Sequence, residues 1–125
     1  VYRVELKSLW GTDTTKARLI HTVSRDAGGK NSKREDKQVW DTSSCRFNDQ
    51  DIFAVSMWLR TGCITDFAYA LSVPDSIHKE WGLPVALRYP HHVSQNPKIS
   101  DPPSGAWSMN LNEACRRLDS IMKRG

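Results

Sequence analysis

The first ten residues alternate between apolar and charged side chains. Tyr2, Val4 and Leu6 occupy every second position, with charged residues between them. A period of two is typical of a strand with one buried face. Turn-forming residues follow at 11–15, and alternation resumes at 16–23. The pattern therefore predicts a β-hairpin at the start of the chain.

Three more segments carry strand patterns. The segment 63–73 alternates without a break, and the segment 83–89 does so after a proline near its start, where proline is tolerated. The third is a short strand at 39–40. A helical turn, predicted at 77–81, separates the segments 63–73 and 83–89. Together with the hairpin, these segments give about five strands.

Two segments are predicted to be helices. Residues 49–61 are apolar on nearly all sides, begin with acidic residues and are followed by Gly62, which suits a helix end. This composition predicts a deeply buried helix. Residues 109–123 place apolar side chains at spacings of three and four, with Ser108 or Asn110 available as the N-cap.

The order of these elements indicates an α+β fold. We expect a mainly antiparallel sheet of about five strands with both helices packed on it. The chain has 125 residues, the ordinary size of one domain, and its five tryptophans supply large apolar surfaces for one core. Its apolar runs are far shorter than the roughly 20 residues that cross a bilayer, so no membrane contact is expected. Residues 1–125 are thus predicted to form a single domain.

Positive charge is concentrated in two segments. The chain has a net charge of +4, and residues 16–37 alone contain seven Lys or Arg against three acids. Residues 116–124 contain four basic residues against Asp119. If the fold joins the two segments, they form a patch for phosphate-bearing partners. The alternative is two separate basic surfaces that only keep the protein in solution.

A long loop interrupts the pattern of strands and helices. Residues 89–107 hold four of the six prolines and two of the four histidines, which excludes a regular helix or a central strand. Loops of this length usually bind a partner, act as lids or are disordered. Tyr89 and Trp107, at its two ends, either offer stacking surfaces or anchor the loop to the core.

The leading hypothesis is a small, non-catalytic binding protein. Its anionic partner, nucleic acid first, is expected to contact the 16–37 segment and the C-terminal helix. The expected binding residues are Arg18, Arg25, Lys30, Lys33, Arg34, Lys37, Tyr89, Trp107, Arg116 and Arg117. The alternative is a dimeric module that binds a protein or a small ligand through the 89–107 loop.

A third hypothesis is a small ribonuclease that needs no metal. His91, His92 and His78 would exchange protons near neutral pH, and Arg88 or Lys98 would stabilise charge on the phosphate. A histidine pair in a proline-rich loop is more often a surface feature, so an enzyme is not the favoured class.

The number of cysteines and the spacing of possible metal ligands limit which metal sites, cofactors and disulfides the chain can have. No Cys-x-x-Cys or His-x-x-x-His pair and no glycine-rich nucleotide loop is present, so we expect neither a metal nor a cofactor. Cys45, Cys63 and Cys115 cannot all pair, which favours a reducing, cytoplasmic location but leaves one disulfide open. Arg46 could lower the pKa of the Cys45 thiol, but a half-exposed structural cysteine is the favoured interpretation of Cys45. The other two cysteines are expected to be small buried hydrophobes.

Overall fold

A computed structural model describes residues 1–20 and 44–124, except for the side chains of residues 123 and 124. The strands within these residues are β1 (Val4–Leu9), β2 (Ala17–Arg18), β3 (Ile52–Ser56) and β4 (Phe67–Leu71). The helices are α1 (Trp58–Thr61) and α2 (Leu111–Arg124), and a short 3-10 helix spans Phe47–Asp49. The predicted strand at 39–40 lies outside the described residues.

The four strands form one mixed sheet in the order β2-β1-β3-β4. The β1–β2 pair is antiparallel, with Leu9 opposite Ala17, which confirms pairing between the two predicted hairpin strands. The central β1–β3 pair is parallel, with Leu6 beside Ala54, and β3 runs antiparallel to β4. The α+β prediction is therefore confirmed. The described sheet has four strands rather than about five, and its central pair is not antiparallel.

The predicted helix at 49–61 is wrong. Most of its apolar residues form the central strand β3, four of whose five residues are buried. Only α1 is helical, and it ends at Gly62, whose φ of 77° is the left-handed conformation that favours glycine. A strand covered on both faces is a continuous apolar run, and periodicity alone does not separate such a run from a buried helix.

Two smaller predictions also differ from the structure. The segment 83–89 does not form a continuous strand, because its pairing is limited to isolated bridges such as Val85 with Val93. The predicted helical turn at 77–81 is present only as isolated turns, in which Gly82 N–H donates to the His78 carbonyl at 2.8 Å, and no continuous helix forms. Proline-rich flanks remove the backbone donors that longer strand pairing needs.

The C-terminal helix is confirmed. Asn110 is its N-cap, since the side-chain oxygen accepts a hydrogen bond of 3.0 Å from the backbone N–H of Glu113. Ala114 and Leu118 pack on a sheet face through a small core that also contains Ile52 and Leu71. None of the described helices has the length and apolar character needed to cross a bilayer.

The opposite sheet face carries the main core, and the proline-rich loop closes it. The buried strand residues in this core include Leu9, Phe53 and Val55. The segment that follows β4 contributes Leu83, Val93, Ile99 and Trp107, each no more than 4% exposed. Much of the loop therefore packs against the sheet and forms one wall of the main core.

Backbone pairing and one arginine hold this wall in place. Ala17 N–H donates to the Pro97 carbonyl at 2.9 Å, so the loop extends the sheet beyond β2. The Arg60 guanidinium donates to the carbonyls of Thr14, Ile99 and Ser100 at distances between 2.8 and 3.1 Å. Arg60 thus joins α1, the turn before β2 and the loop.

The apolar side of β1 does not face the main core. Val4 is 42% exposed and Leu6 is 68% exposed, on the sheet face that α2 covers only in part. Lys7 projects from the other side of the strand, where its ammonium donates to the Ile20 carbonyl at 2.7 Å. The Lys7 side chain is only 11% exposed. This strand therefore leaves apolar surface uncovered while it partly buries a charge.

Candidate functional site

Residues 84–94 fold back on themselves and present a tip at the surface. Val85 and Val93 form an antiparallel bridge, and two backbone hydrogen bonds of 2.9 Å flank it. The tip exposes Leu87 almost completely, at 98%, and also exposes Arg88. We call this segment the 84–94 hairpin.

An open cavity of about 360 Å³ lies beside the hairpin tip. Its described lining residues are Ser44, Ala86, Leu87, Arg88, Tyr89, Ser94, Gln95 and Asn96. None of these residues is acidic, and Arg88 supplies a positive charge. A cavity with one guanidinium and several hydroxyl and amide groups suits an anionic or strongly polar ligand. We call it the Arg88 cavity.

Arg88 is the free cation of this site. Its side chain is exposed and forms no ion pair or hydrogen bond with any residue in the ranges 1–20 and 44–124. An unpaired guanidinium can bind a phosphate or carboxylate with two parallel hydrogen bonds. Among the described residues, Arg88 therefore has no ion pair or side-chain hydrogen bond to break before it binds such a group.

An aromatic pair supports the cavity wall. The rings of Tyr89 and His92 lie 5.5 Å apart between centroids. His92 Nδ1 is 3.2 Å from both the hydroxyl and the carbonyl oxygen of Ser44. In the tautomer protonated at Nδ1, the ring donates to that carbonyl. These contacts hold the hairpin against Ser44.

Two residues that are distant in sequence meet at this cavity. Ile20 and Ser44 form an antiparallel bridge, and Ser44 also lines the Arg88 cavity. Five of the expected binding residues lie outside the described residues, namely Arg25, Lys30, Lys33, Arg34 and Lys37. Arg18, which is described, lies over the Trp10 ring at 5.2 Å from its centroid.

The two arginines of α2 whose side chains are described are already paired within the fold. Arg116 and Arg117 both form ion pairs with Glu113. Arg117 also donates to the Gly105 carbonyl at 3.1 Å and lies over the Trp81 ring at 5.0 Å. Because α2 packs beside β4, at the far edge of the sheet from β2, the structure does not bring Arg117 and Arg18 together.

Trp107 has a different position from Tyr89. Its side chain is 4% exposed and belongs to the main core. The ring is therefore not available for stacking on a base, and the alternative interpretation, an anchor that fixes the loop to the core, describes its position. Tyr89 is half-buried and lines the Arg88 cavity.

The histidines do not form a joint catalytic group among the described residues. His78 stacks on Trp81, with centroids 4.8 Å apart, and its Nδ1 accepts from the Trp81 backbone N–H at 3.1 Å. His91 lines a cavity whose described lining residues do not include Arg88, and His92 Nδ1 lies 3.2 Å from the Ser44 hydroxyl. This arrangement offers no acid, base and cation around one reacting phosphate.

The exposure of two cysteines differs from expectation. Cys45 is fully buried rather than half-exposed, and burial raises the pKa of its thiol, which does not support activation by Arg46. Cys63 is exposed rather than buried, and its sulfur lies 3.1 Å from the Thr65 hydroxyl. Cys115 packs partly buried against the small core, and all three thiols are free. No group of three metal-binding side chains occurs in the described part of the chain.

No family model, curated protein or solved structure matches this chain. Support for a function therefore comes from the geometry and charge of the site itself. Sequence reasoning named Arg88 and Tyr89 but missed the bridge that pairs Ile20 with Ser44, a residue that lines the same cavity as Arg88 and Tyr89. A single bridge leaves no periodic signal, so no pattern in the sequence could have revealed it.

Proposed function

We propose that this chain is a non-catalytic domain that binds single-stranded nucleic acid through residues 16–37 and the neighbouring 84–94 hairpin. The observation that carries the proposal is the Ile20–Ser44 bridge. This bridge pairs the two residues that flank 21–43, a stretch with five of the seven basic residues of the 16–37 segment, and Ser44 lines the same cavity as Arg88, whose charge is unpaired among the described residues. Basic side chains next to a free guanidinium favour a backbone with repeated phosphates.

The Arg88 cavity supplies the other contacts that single strands need. Tyr89 offers an aromatic surface, and base stacking on such a ring contributes about 1 to 3 kcal/mol per base. Ser94 and Asn96 line the same cavity with groups that hydrogen-bond to sugars and base edges. A duplex buries its base faces, so this combination favours a single strand.

Within this proposal, the C-terminal helix contributes less than the sequence suggested. Glu113 already neutralises much of the charge of Arg116 and Arg117. To bind phosphate, Arg117 would also have to leave Trp81 and the Gly105 carbonyl. A single domain over residues 1–125 and a cytoplasmic location remain part of the same proposal.

Fluorescence anisotropy with a labelled single-stranded RNA tests the proposal. We expect binding at about 50 mM salt that weakens steeply toward about 200 mM, because bound phosphates release counterions. The variant Arg88→Ala should weaken binding and reduce the salt slope by about 0.7, the contribution of one phosphate contact on a single strand.

Arg116→Ala is the matched control, since Arg116 is an exposed arginine that already has an acidic partner. Its effect on affinity should be clearly smaller than that of Arg88→Ala. Absence of binding at the lowest salt would reject a nucleic-acid partner. Equal effects of the two variants would reject the assigned site while leaving nucleic-acid binding in place.

A homodimer is the second candidate, and the exposed side of β1 favours it. Val4 and Leu6 lie on the same sheet face as Ile52, which α2 covers. Exposed apolar side chains that continue a covered face are typical of a contact surface. A second copy could cover this surface in a symmetric contact without blocking the Arg88 cavity, because the 84–94 hairpin belongs to the opposite face.

A further inference from the structure

A second cavity lies in the proline-rich loop, apart from the Arg88 cavity. It measures about 430 Å³, which falls within the usual range for small-ligand sites, about 300 to 1,000 Å³. Its described lining residues are Leu83, Pro84, Pro97, Lys98, Ser100, Ser104, Ala106 and Trp107. The two cavities share none of their described lining residues. We call this one the loop cavity.

The walls of the loop cavity are apolar and firmly held. Leu83 and Trp107 belong to the main core, so they anchor this site to the sheet. Arg60 holds the carbonyl of Ser100 at 2.9 Å, and Arg117 holds the carbonyl of Gly105 at 3.1 Å. Proline rings add further stiffness to the wall. A site fixed in advance loses little entropy when a ligand binds.

The polar end of the loop cavity contains one unpaired cation. Lys98 is exposed and forms no ion pair with a residue in the described ranges, and none of the described lining residues is acidic. Lys16, which lies opposite Lys98 in an antiparallel bridge, is itself paired with Asp13 at 3.7 Å, so Lys98 is left as the ammonium without a counter-charge among the described residues at this end. One ammonium group without a counter-charge matches a ligand group that carries one negative charge. A doubly charged group such as a phosphate monoester would normally require more donors.

The two serines at the rim act as acceptors. The Ser100 hydroxyl donates its one proton to the Pro102 carbonyl at 2.8 Å. The 2.9 Å contact between the hydroxyls of Ser100 and Ser104 must then use the proton of Ser104. Both oxygens keep lone pairs but have no proton left for an anion, so a ligand N–H or O–H fits beside them.

From this geometry we propose that the loop cavity binds a small aromatic monocarboxylate. The carboxylate pairs with Lys98, the ring lies against Pro84 and Ala106 on the apolar wall, and a donor on the ring reaches Ser104. This ligand site is independent of the proposed nucleic-acid contact, because it lies in a different cavity.

Indole-3-acetate is a suitable probe, because it combines a carboxylate, an aromatic ring and a ring N–H. Titration of the full chain, followed by amide NMR shifts, should show saturable changes at Lys98 and Ala106. Indole-3-acetamide, which has the same shape without the charge, should bind at least about fivefold more weakly, the effect of losing one charge-assisted contact. Lys98→Met should cause a similar loss, whereas Lys79→Met, at an exposed lysine outside the cavity, should cause none.

Ala106→Leu fills the loop cavity and should abolish probe binding without changing RNA affinity. Lys98→Met alters an exposed residue and tests the same site if Ala106→Leu fails to fold. No saturable binding up to millimolar probe, or equal affinity for acid and amide, would overturn the proposal. Binding that survives Lys98→Met unchanged would overturn it as well. None of these outcomes depends on whether nucleic acid binds.

Discussion

Arg60 connects parts of the chain that the sequence separates widely. Its four hydrogen bonds reach three backbone carbonyls in the turn before β2 and in the proline-rich loop. Arg60→Ala should lower the free energy of unfolding by about 2 to 3 kcal/mol, because it leaves partly buried carbonyls without donors.

Urea unfolding followed by tryptophan fluorescence measures this loss. Arg60→Lys should be only slightly more stable than Arg60→Ala. An ammonium lacks the planar fork with which the guanidinium reaches the carbonyls of Thr14 and Ile99 together. Arg46→Ala is the control, at an exposed arginine for which no ion pair appears among the described residues. A loss of stability as large for Arg46→Ala would contradict the assigned role of Arg60.

Asp51 makes stability depend on pH in the acid range. Arg3 donates to it from the backbone at 2.7 Å and from the guanidinium, and these contacts lower the pKa of the Asp51 carboxyl. A lowered pKa in the folded state adds stability above the ordinary carboxyl value of about 3.9. That stability is lost as the pH falls through the lower, folded-state value.

The variant Asp51→Asn should therefore lose stability at neutral pH and show a flatter decline in acid. Thermal melts at several pH values between about 2 and 7 provide the measurement. Asp75→Asn is the control, at an exposed carboxylate without an ion pair among the described residues. An unchanged acid profile for Asp51→Asn would mean that the Arg3 contact does not persist in solution.

Among the elements, α2 depends on its first turn. Asn110 caps the helix, and Glu113 in that turn pairs with Arg116 and Arg117. Asn110→Ala should cost about 1 kcal/mol of stability, because one backbone donor loses its partner. Asn112→Ala, at an exposed position inside the helix, should be neutral or slightly stabilising. Chemical unfolding of both variants separates capping from helix propensity, and equal effects would reject the cap.

How far the sequence predicts an element depends on whether the element faces water. α2 has a polar side, so its spacing of three and four was visible, and its range was predicted closely. β3 has no polar side, so its sequence does not show whether it is a helix or a strand. For β1 the alternation was visible, but its apolar residues Val4 and Leu6 remain exposed while Lys7 is partly buried.

The candidate site was predicted only in part for a related reason. Composition drew attention to the proline-rich loop and to Arg88, since charge and proline content are visible without a fold. The use of Trp107 as a core anchor and the contact of Arg117 with Trp81 are tertiary contacts. The pairing of Arg116 and Arg117 with Glu113 follows the three- and four-residue spacing of a helix, so the sequence already contained that signal. No local pattern encodes which partner a long side chain will meet across the fold.

At the scale of the whole molecule, the uncovered face of β1 predicts self-association. If two copies meet there, sedimentation velocity at tens of micromolar should show a dimer, and Leu6→Asp should convert it to a monomer by burying an unpaired charge. Leu87→Asp is the control, because Leu87 is even more exposed but belongs to the 84–94 hairpin. A monomer at all concentrations, or dissociation by Leu87→Asp alone, would reject this contact surface.

Because Ile20 and Ser44 pair with each other, we expect that a short turn can replace residues 21–43 without unfolding the rest of the chain. Two chain positions that already face each other across an antiparallel bridge need only a few residues to join them. A tight Asn-Gly turn in place of residues 21–43 should thus yield a shortened chain that still melts cooperatively. Such a shortened chain would retain Arg88 and the loop cavity while lacking five of the seven basic residues of the 16–37 segment.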